Sequence, residues 1–233
     1  MNEVAASKID TSNGDAGAAS EAGNSEGARK PRMTQAERTA LSDERMFKAA
    51  RELLVENGTH NTTLKEIGER AGYSRGLASN RFGSKEKLFS QMVQEFNRRW
   101  ASELRGFVGN RRGLPAMMAA FSAVEHYLIS YSEDMKSLYI LWFESMTSHG
   151  DVREMLAASH KAYRRDVERW VRQGIDDGTI RPSIDPVSYG VEFNALIFGL
   201  IYQWLVSDDS LSIHAVFQHY RRSTLETLAE RRD

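Results

Sequence analysis

Residues 71–85 read AGYSRGLASNRFGSK, and this stretch decides between two folds. Within it, GYSRG at residues 72–76 fits the pattern G-x-S-x-G, which in α/β-hydrolases is the strand-to-helix turn that exposes a nucleophilic serine. The same letters fit the turn and second helix of a helix-turn-helix, with Ser74 capping that helix. The choice depends on whether a strand or a helix precedes Ser74.

The segment before Ser74 has the period of a helix. Residues 64–71, LKEIGERA, place three apolar side chains on one helical face: Leu64, Ile67 and Ala71. Thr63 and Glu66 have the spacing of a capping box, and Gly72 ends the segment. We therefore expect Ser74 to be a helix cap and the chain not to be an enzyme. A serine hydrolase built on Ser74 is kept as the remote alternative.

The amino-acid composition limits the classes of protein to which this chain can belong. The 233 residues are 41% apolar and 27% charged, which is ordinary for one or two globular domains. The absence of cysteine excludes disulfides, thiolate nucleophiles and cysteine metal sites, and no histidine and carboxylate grouping has ligand spacing, so no metal or cofactor is predicted. No signal peptide is visible, and the longest apolar run, residues 193–206, is too short to span a bilayer. We expect a cytoplasmic protein without membrane contact.

Charge and complexity divide the chain into segments. Residues 1–33 are rich in Ala, Gly and Ser and are predicted to be a disordered tail. The tail ends in Lys30, Pro31 and Arg32, which fit either a basic arm on DNA or a solvated linker. Residues 31–90 hold 11 Lys and Arg against 8 Asp and Glu, a net charge of +3 that is compatible with a DNA-facing part.

The rest of the chain has helical periodicity and no run of alternating strand residues, so we predict an all-α fold of about nine helices. Ser84 is expected to cap a helix of about 25 residues, and Asp185 with Pro186 to begin another. The expected helices lie near residues 35–57 and 64–71, then over about seven residues after Ser74 ending near Phe82 and about 25 residues after Ser84, and near residues 115–130, 134–147, 152–177, 186–206 and 211–229.

The second helix of the candidate helix-turn-helix carries side chains that read DNA. Asparagine pairs with adenine and arginine with guanine, and this segment contains Arg75, Ser79, Asn80 and Arg81. Gly76 allows close approach of the backbone to DNA. Lys85 lies in the first turn of the next helix, where a lysine and free N–H groups suit a phosphate.

Residues 45–89, RMFKAARELLVENGTHNTTLKEIGERAGYSRGLASNRFGSKEKLF, resemble the DNA-binding domain of the tetracycline-repressor (TetR) family. The resemblance rests on the joint spacing of Ala49–Ala50, Leu53, Gly58, Thr62–Thr63, Ile67, Ala71–Gly72, Ser74, Gly76, Phe82, Ser84–Lys85 and Leu88. It implies a homodimeric regulator with a helix-turn-helix domain at residues 34–83 and a helical ligand-binding and dimerisation domain at residues 84–233. Ligand binding in the second domain would release double-stranded DNA.

The resemblance places the DNA contacts on Thr63, Arg75, Gly76, Ser79, Asn80, Arg81 and Lys85. The chain departs from the family pattern in the recognition helix. Where Ala78, Ser79 and Arg81 stand, the family usually has a large aliphatic residue, a tyrosine, and a histidine or tyrosine. The missing tyrosine typically meets a phosphate, so Arg81 is expected to supply a charged substitute, and Leu77 to fill the core beside Ala78.

The C-terminal half predicts a dimer. The helix at 186–206 is apolar on nearly every side and must be buried on all sides. Helices 186–206 and 211–229 are therefore expected to pair with their copies in a second subunit, the alternative being the core of a monomer. A two-fold axis would place two recognition helices about one DNA turn apart, on a near-palindromic operator.

A ligand pocket is predicted from methionine and aromatic side chains, which suit irregular small-molecule sites but also plain cores. The candidates are Met118, Phe121, Tyr139, Trp142, Phe143, Met146, Trp170, Asn194 and Phe198. The predicted function is a transcriptional repressor released from its operator by a small, largely apolar effector of unknown identity. The alternative is a helical dimeric regulator controlled by a protein partner or without any inducer.

Overall fold

The computed structural model describes residues 33–147, 150–207 and 211–230. The prediction for the tail at 1–33, apart from Met33, lies outside these residues. The described ranges contain nine helices and a single isolated β-bridge, so the predicted all-α fold is confirmed. The helices are α1 Gln35–Asn57, α2 Leu64–Arg70, α3 Leu77–Phe82, α4 Lys85–Val108, α5 Gly113–Ser130, α6 Ser132–Ser145, α7 Asp151–Asp176, α8 Pro186–Val206 and α9 Ile213–Leu228.

Side-chain caps fix where most of the helices begin. Thr34 with Glu37 and Thr63 with Glu66 form reciprocal capping boxes, as their spacing predicts. The Ser84 hydroxyl accepts a hydrogen bond from the Lys87 amide at the start of α4. Asp185 caps α8 with Pro186 in the first turn. These local signals are confirmed because each depends on residues only a few positions apart.

The predicted cap at Ser74 is wrong. Helix α3 begins at Leu77, and its N-cap is Gly76, which has no side chain to accept a hydrogen bond. Ser74 lies three residues earlier in a turn, where its backbone carbonyl accepts from the Leu77 amide at 3.0 Å. The strand that a hydrolase would need before Ser74 is instead helix α2.

Two hydrophobic cores share helix α4. The first, the N-terminal core, joins α1, α2 and α3 to the first half of α4, with Met46, Ile67, Ala78, Phe82 and Leu88 at its centre. The second, the C-terminal core, packs α5 and α7 against the last half of α4, with α8 packed on α7 and α9 on α5. Helix α6 also contributes Leu138 and Leu141 to the N-terminal core. The two cores are therefore joined by continuous helices rather than by a linker.

Candidate nucleic-acid interface and effector cavity

The turn at residues 71–76 sets α3 against α2 with one face buried and the other free. Helix α3 buries Ala78 and Phe82 and exposes Ser79 and Asn80. Leu77 packs partly buried against the N-terminal core beside Ala78. The exposed face thus carries the polar side chains, which is the arrangement by which a recognition helix presents groups to base edges.

Two arginines, Arg81 on α3 and Arg75 in the turn before it, pair with carboxylates. Arg81 makes a bidentate pair with Asp43 of α1, with Nε to Oδ1 at 2.8 Å and Nη2 to Oδ2 at 2.7 Å. These hydrogen bonds raise the pKa of the Arg81 guanidinium above its ordinary value. Arg75 pairs with Glu69 at the end of α2. Both guanidinium groups are therefore paired with carboxylates of the same chain.

Three further candidates flank the recognition helix. Thr63 is exposed at the start of α2, where its hydroxyl serves in the capping box. Lys85 is half-buried in the first turn of α4, and its Nζ donates to the carbonyl of Thr59 at 2.7 Å. Gly76 is exposed just before α3. The sequence revealed neither Asp43 nor Thr59 as a partner, because each lies more than 20 residues from the side chain it holds.

A cavity lies within the C-terminal half, among helices α4 to α8. It has a volume of about 80 Å³, room for several water molecules, and it opens to solvent at its mouth. Eight of its 18 lining side chains are aromatic and eight are aliphatic or methionine. Four of the predicted pocket residues line it: Trp142, Trp170, Asn194 and Phe198.

The other predicted pocket residues lie elsewhere. Tyr139, Phe143 and Met146 line an open groove between α6, α7 and α8, where Phe143 is 49% and Met146 is 67% exposed. Phe121 packs in the C-terminal core between the rings of Phe193 and Phe217, and Met118 lies partly buried against the same core. The aromatic content of the sequence therefore does not predict which side of each helix faces the cavity.

Several lining residues had no sequence signal beyond helical periodicity. Phe96, Trp100 and Leu104 recur at intervals of four on α4, a stripe that is equally typical of plain core. Tyr127 of α5 and Tyr163 of α7 also line the cavity. Only the packing of α4 against α5 and α7 distinguishes a cavity wall from a filled core.

The polar groups of the cavity are few. Asn194 donates from Nδ2 to the Gly190 carbonyl at 2.8 Å, and Asp166 accepts from Arg169 at 2.7 Å. Tyr163 donates to Asn97 at 3.1 Å. The Tyr127 hydroxyl and the Trp142 indole N–H are buried without a hydrogen-bond partner among the described residues. Burial raises the pKa of the Tyr127 hydroxyl well above its ordinary value, so it stays protonated.

Salt bridges join helix α6, which lines the cavity, to helices α1 and α4. The carboxylate of Asp134, at the start of α6, accepts from Arg51 of α1 at 2.7 Å and from Arg99 of α4 at 2.6 Å. At the other end of α6, Glu144 accepts from the Thr59 hydroxyl in the loop before α2. Helix α6 is therefore bound at both ends to the part of the chain that carries the helix-turn-helix.

Other kinds of site lack support in the described part of the chain. No three histidine or carboxylate side chains there are grouped as ligands for a metal ion. Across residues 33–147, 150–207 and 211–230, no helix combines the length and apolar character that crossing a bilayer requires.

These features define a helix-turn-helix DNA-binding protein with a separate cavity. Comparison with protein families makes the class specific. Residues 47–92 match the model of bacterial regulatory proteins of the TetR family, and residues 138–220 match the tetracyclin repressor-like C-terminal domain. The two matches together cover more than half of the chain, which therefore belongs to the TetR family of transcriptional regulators.

Individual relatives are distant. The transcriptional regulator SrpR of Pseudomonas putida is 25% identical over 71% of this chain and 76% of its own. The repressor KstR2 of Rhodococcus jostii is 22% identical over 76% of this chain and 86% of its own. A transcriptional regulator from Saccharomonospora viridis, solved in complex with choline, has a TM-score of 0.70 at 17% identity over 82% of this chain and 100% of its own.

Proposed function

We propose that this regulator is a homodimeric repressor that binds a near-palindromic operator and is released by a small molecule in the cavity. The observation that carries the proposal is the double attachment of α6. Trp142 and Met135 of this helix line the cavity, while Leu138 and Leu141 pack in the N-terminal core. A ligand that moves the cavity wall thereby acts on the support of the DNA-binding helices.

The DNA contacts are proposed on three neighbouring elements. Base edges are read by the exposed face of α3, and phosphates are met by the first turns of α2 and α4. In this proposal Asn80 and Arg81 supply sequence preference, and Lys85 supplies charge beside the N-terminus of α4. The full set is Thr63, Arg75, Gly76, Ser79, Asn80, Arg81 and Lys85.

The dimer is proposed to form through α8 and α9. One face of α8 carries an exposed apolar stripe at helical spacing: Val187, Val191, Ala195, Tyr202 and Val206. Val191 is 53% and Val206 is 64% exposed, which is unusual for aliphatic side chains along one face of a helix. Pairing with the same face of a second copy would bury the stripe in an isologous contact. The working location would be the cytoplasm, with the DNA.

Repression and control by a ligand draw support from the relatives. KstR2 is named a repressor, and the regulator from Saccharomonospora viridis was solved with choline bound. The cavity favours a ligand sensor over a regulator without an inducer, since only the former requires empty space inside the C-terminal half. Regulation by a protein partner needs no such cavity.

A binding selection against random DNA fragments at fixed salt tests the DNA-binding part. Wild-type protein should enrich a near-palindrome, and the Arg81→Ala protein should lose that enrichment. Loss of one phosphate contact in Lys85→Ala should weaken binding across all sequences and reduce the salt slope by about one. Equal enrichment by wild type and the folded Arg81→Ala protein would rule out the proposed role of Arg81.

A further inference from the structure

Two residues that line the cavity carry buried hydrogen-bond donors without a partner among the described residues. Tyr127 is only 2% exposed, and its hydroxyl has no partner. The indole N–H of Trp142 is also buried and unpaired. Buried polar groups in native proteins are nearly always paired, and these are two of five buried side-chain atoms without a partner among the described residues, the others belonging to Ser90, His160 and Arg181. Only Tyr127 and Trp142 of the five also line the cavity, so these two are the donors available to a molecule bound there.

The charges around the cavity argue against an anionic ligand. Among the described lining residues, the single charged side chain is Asp166, and its carboxylate is already paired with Arg169 at 2.7 Å. No lysine or arginine stands among these lining residues to receive a carboxylate or phosphate. An anion would lose its hydration without gaining a cation, which is strongly unfavourable in an apolar site.

A cationic ligand fits the aromatic walls but not the unpaired donors. Tryptophan and tyrosine faces attract ammonium groups, and Trp100 and Trp170 are available for this. A quaternary ammonium group, however, has no lone pair to accept from the Tyr127 hydroxyl or the Trp142 N–H. Both donors would stay unsatisfied with such a ligand bound, at the same cost as in the empty cavity.

We infer that the effector is a neutral, largely apolar molecule with at least one acceptor oxygen, a carbonyl above all, which receives hydrogen bonds from Tyr127 and Trp142. This inference rests on the proposed role of the cavity as the effector site. The aromatic and aliphatic walls bind the apolar body, and the two donors fix its orientation. Because the Tyr127 hydroxyl stays protonated, the donor is present across the physiological pH range.

Four probes of similar shape and different polarity test the ligand class. They are benzophenone, with a carbonyl acceptor; diphenylmethane, without one; diphenylacetate, an anion; and benzhydryl-trimethylammonium, a cation. Equilibrium dialysis against the full-length protein measures all four. Benzophenone should bind about tenfold more tightly than diphenylmethane, since each tenfold is about 1.4 kcal/mol and hydrogen bonds are of that size. Both ions should bind more weakly than benzophenone.

A matched pair of variants tests the role of Tyr127. Tyr127→Phe removes only the hydroxyl and should reduce the preference for benzophenone over diphenylmethane several-fold. Tyr131→Phe is the matched control. The ring of Tyr131 contacts that of Tyr127, but Tyr131 does not line the cavity. Removal of its hydroxyl should leave the preference for benzophenone over diphenylmethane unchanged.

The outcomes distinguish failure of the inferred ligand class from failure of the cavity as the effector site. Equal binding of diphenylmethane and benzophenone, tighter binding of either ion, or an undiminished preference in Tyr127→Phe would overturn the ligand class while leaving the cavity as a ligand site. Failure of all four probes to bind the wild-type protein would overturn the cavity as the effector site, and the inference with it.

Discussion

Gly68 is the residue on which the close fit of the helix-turn-helix depends. It lies in α2 facing the turn, and its carbonyl accepts from the Tyr73 amide at 2.9 Å. A Cβ at this position would stand 2.9 Å from the carbonyl oxygen of Ser74 and 3.7 Å from the Cβ of Ala78. The contact at 2.9 Å involves backbone, which cannot move aside as a flexible side chain would.

We predict that Gly68→Ala lowers the free energy of unfolding by about 1–3 kcal/mol, because overpacking outweighs the higher helix propensity of alanine. Urea denaturation followed by circular dichroism measures the change. Gly106→Ala in α4 is the matched control, since a Cβ there meets nothing within 4 Å. The control should be neutral or stabilising by up to about 1 kcal/mol. Similar effects of the two substitutions would contradict the steric explanation.

The candidate DNA-contacting residues show which features of single side chains can be predicted from the sequence. Residue types and helical spacing predicted an exposed polar face on the second helix, and the exposure of Ser79 and Asn80 agrees with it. The pairing of Arg81 with Asp43 was not predicted, since 38 residues separate them and only the packing of α3 on α1 brings them together. Long-range partners of exposed arginines leave no periodic signal in a sequence.

A cluster of charged side chains joins helix α9 to helix α5. The buried carboxylate of Glu125 accepts from Arg221 at 2.5 Å and lies 2.6 Å from Nδ1 of His214. Burial alone would raise the pKa of Glu125, but the hydrogen bonds from Arg221 and His214 outweigh it and lower the pKa below its ordinary value. The ionised carboxylate is therefore stabilised in the folded protein.

We predict that Glu125→Gln lowers the free energy of unfolding at pH 7 by about 1–3 kcal/mol, because it weakens charge-assisted hydrogen bonds in a buried position. A carboxylate with a lowered folded pKa contributes stability above its unfolded pKa of about 4.3 and loses it as pH falls through the folded pKa. The difference between wild type and variant should therefore shrink from pH 7 to pH 4.

Urea denaturation at the two pH values measures this effect. Glu226→Gln, on the exposed side of α9, is the control and should differ little from wild type at either pH. A gap between wild type and Glu125→Gln that stays constant between pH 7 and pH 4 would argue against the ionised Glu125 as the cause.

Helix boundaries were largely predictable, whereas interior packing was not. Capping residues and glycines placed most helix ends within two residues, because those signals are local. The predicted start of α3 is wrong because residues 74–77 form a turn, and the sequence of this turn resembles that of a capped helix start. For the cavity, composition indicated the aromatic C-terminal half. That Phe143 lines only the groove, while Phe198 lines both the groove and the cavity, follows only from how α6 packs on α8.

At the scale of the whole molecule, we predict that Val191→Lys converts a dimer to a monomer. A charge on the apolar stripe of α8 would have to be desolvated twice across an isologous contact. Sedimentation velocity at micromolar protein concentration measures the assembly state. The same variant should lose operator affinity by at least about tenfold, since one recognition helix would no longer bring the second onto its half-site.

Val55→Lys provides the control for this test. Val55 is an exposed valine of α1 outside the stripe, so its substitution should leave the assembly state unchanged. A wild-type protein that sediments as a monomer, or a Val191→Lys protein that stays dimeric, would contradict an interface on this face of α8.

The continuity of α4 through both cores has a mechanical consequence. Lys85 stands at one end of this helix and Trp100, in the cavity wall, about 22 Å along it, given a rise of 1.5 Å per residue. Over such an arm, a change of about 5° in helix direction displaces the Lys85 end by about 2 Å, several times the roughly 0.5 Å range of good hydrogen-bond lengths. In the proposed mechanism, a lever of this length would turn a modest rearrangement around a bound molecule into the loss of the phosphate contact proposed for Lys85.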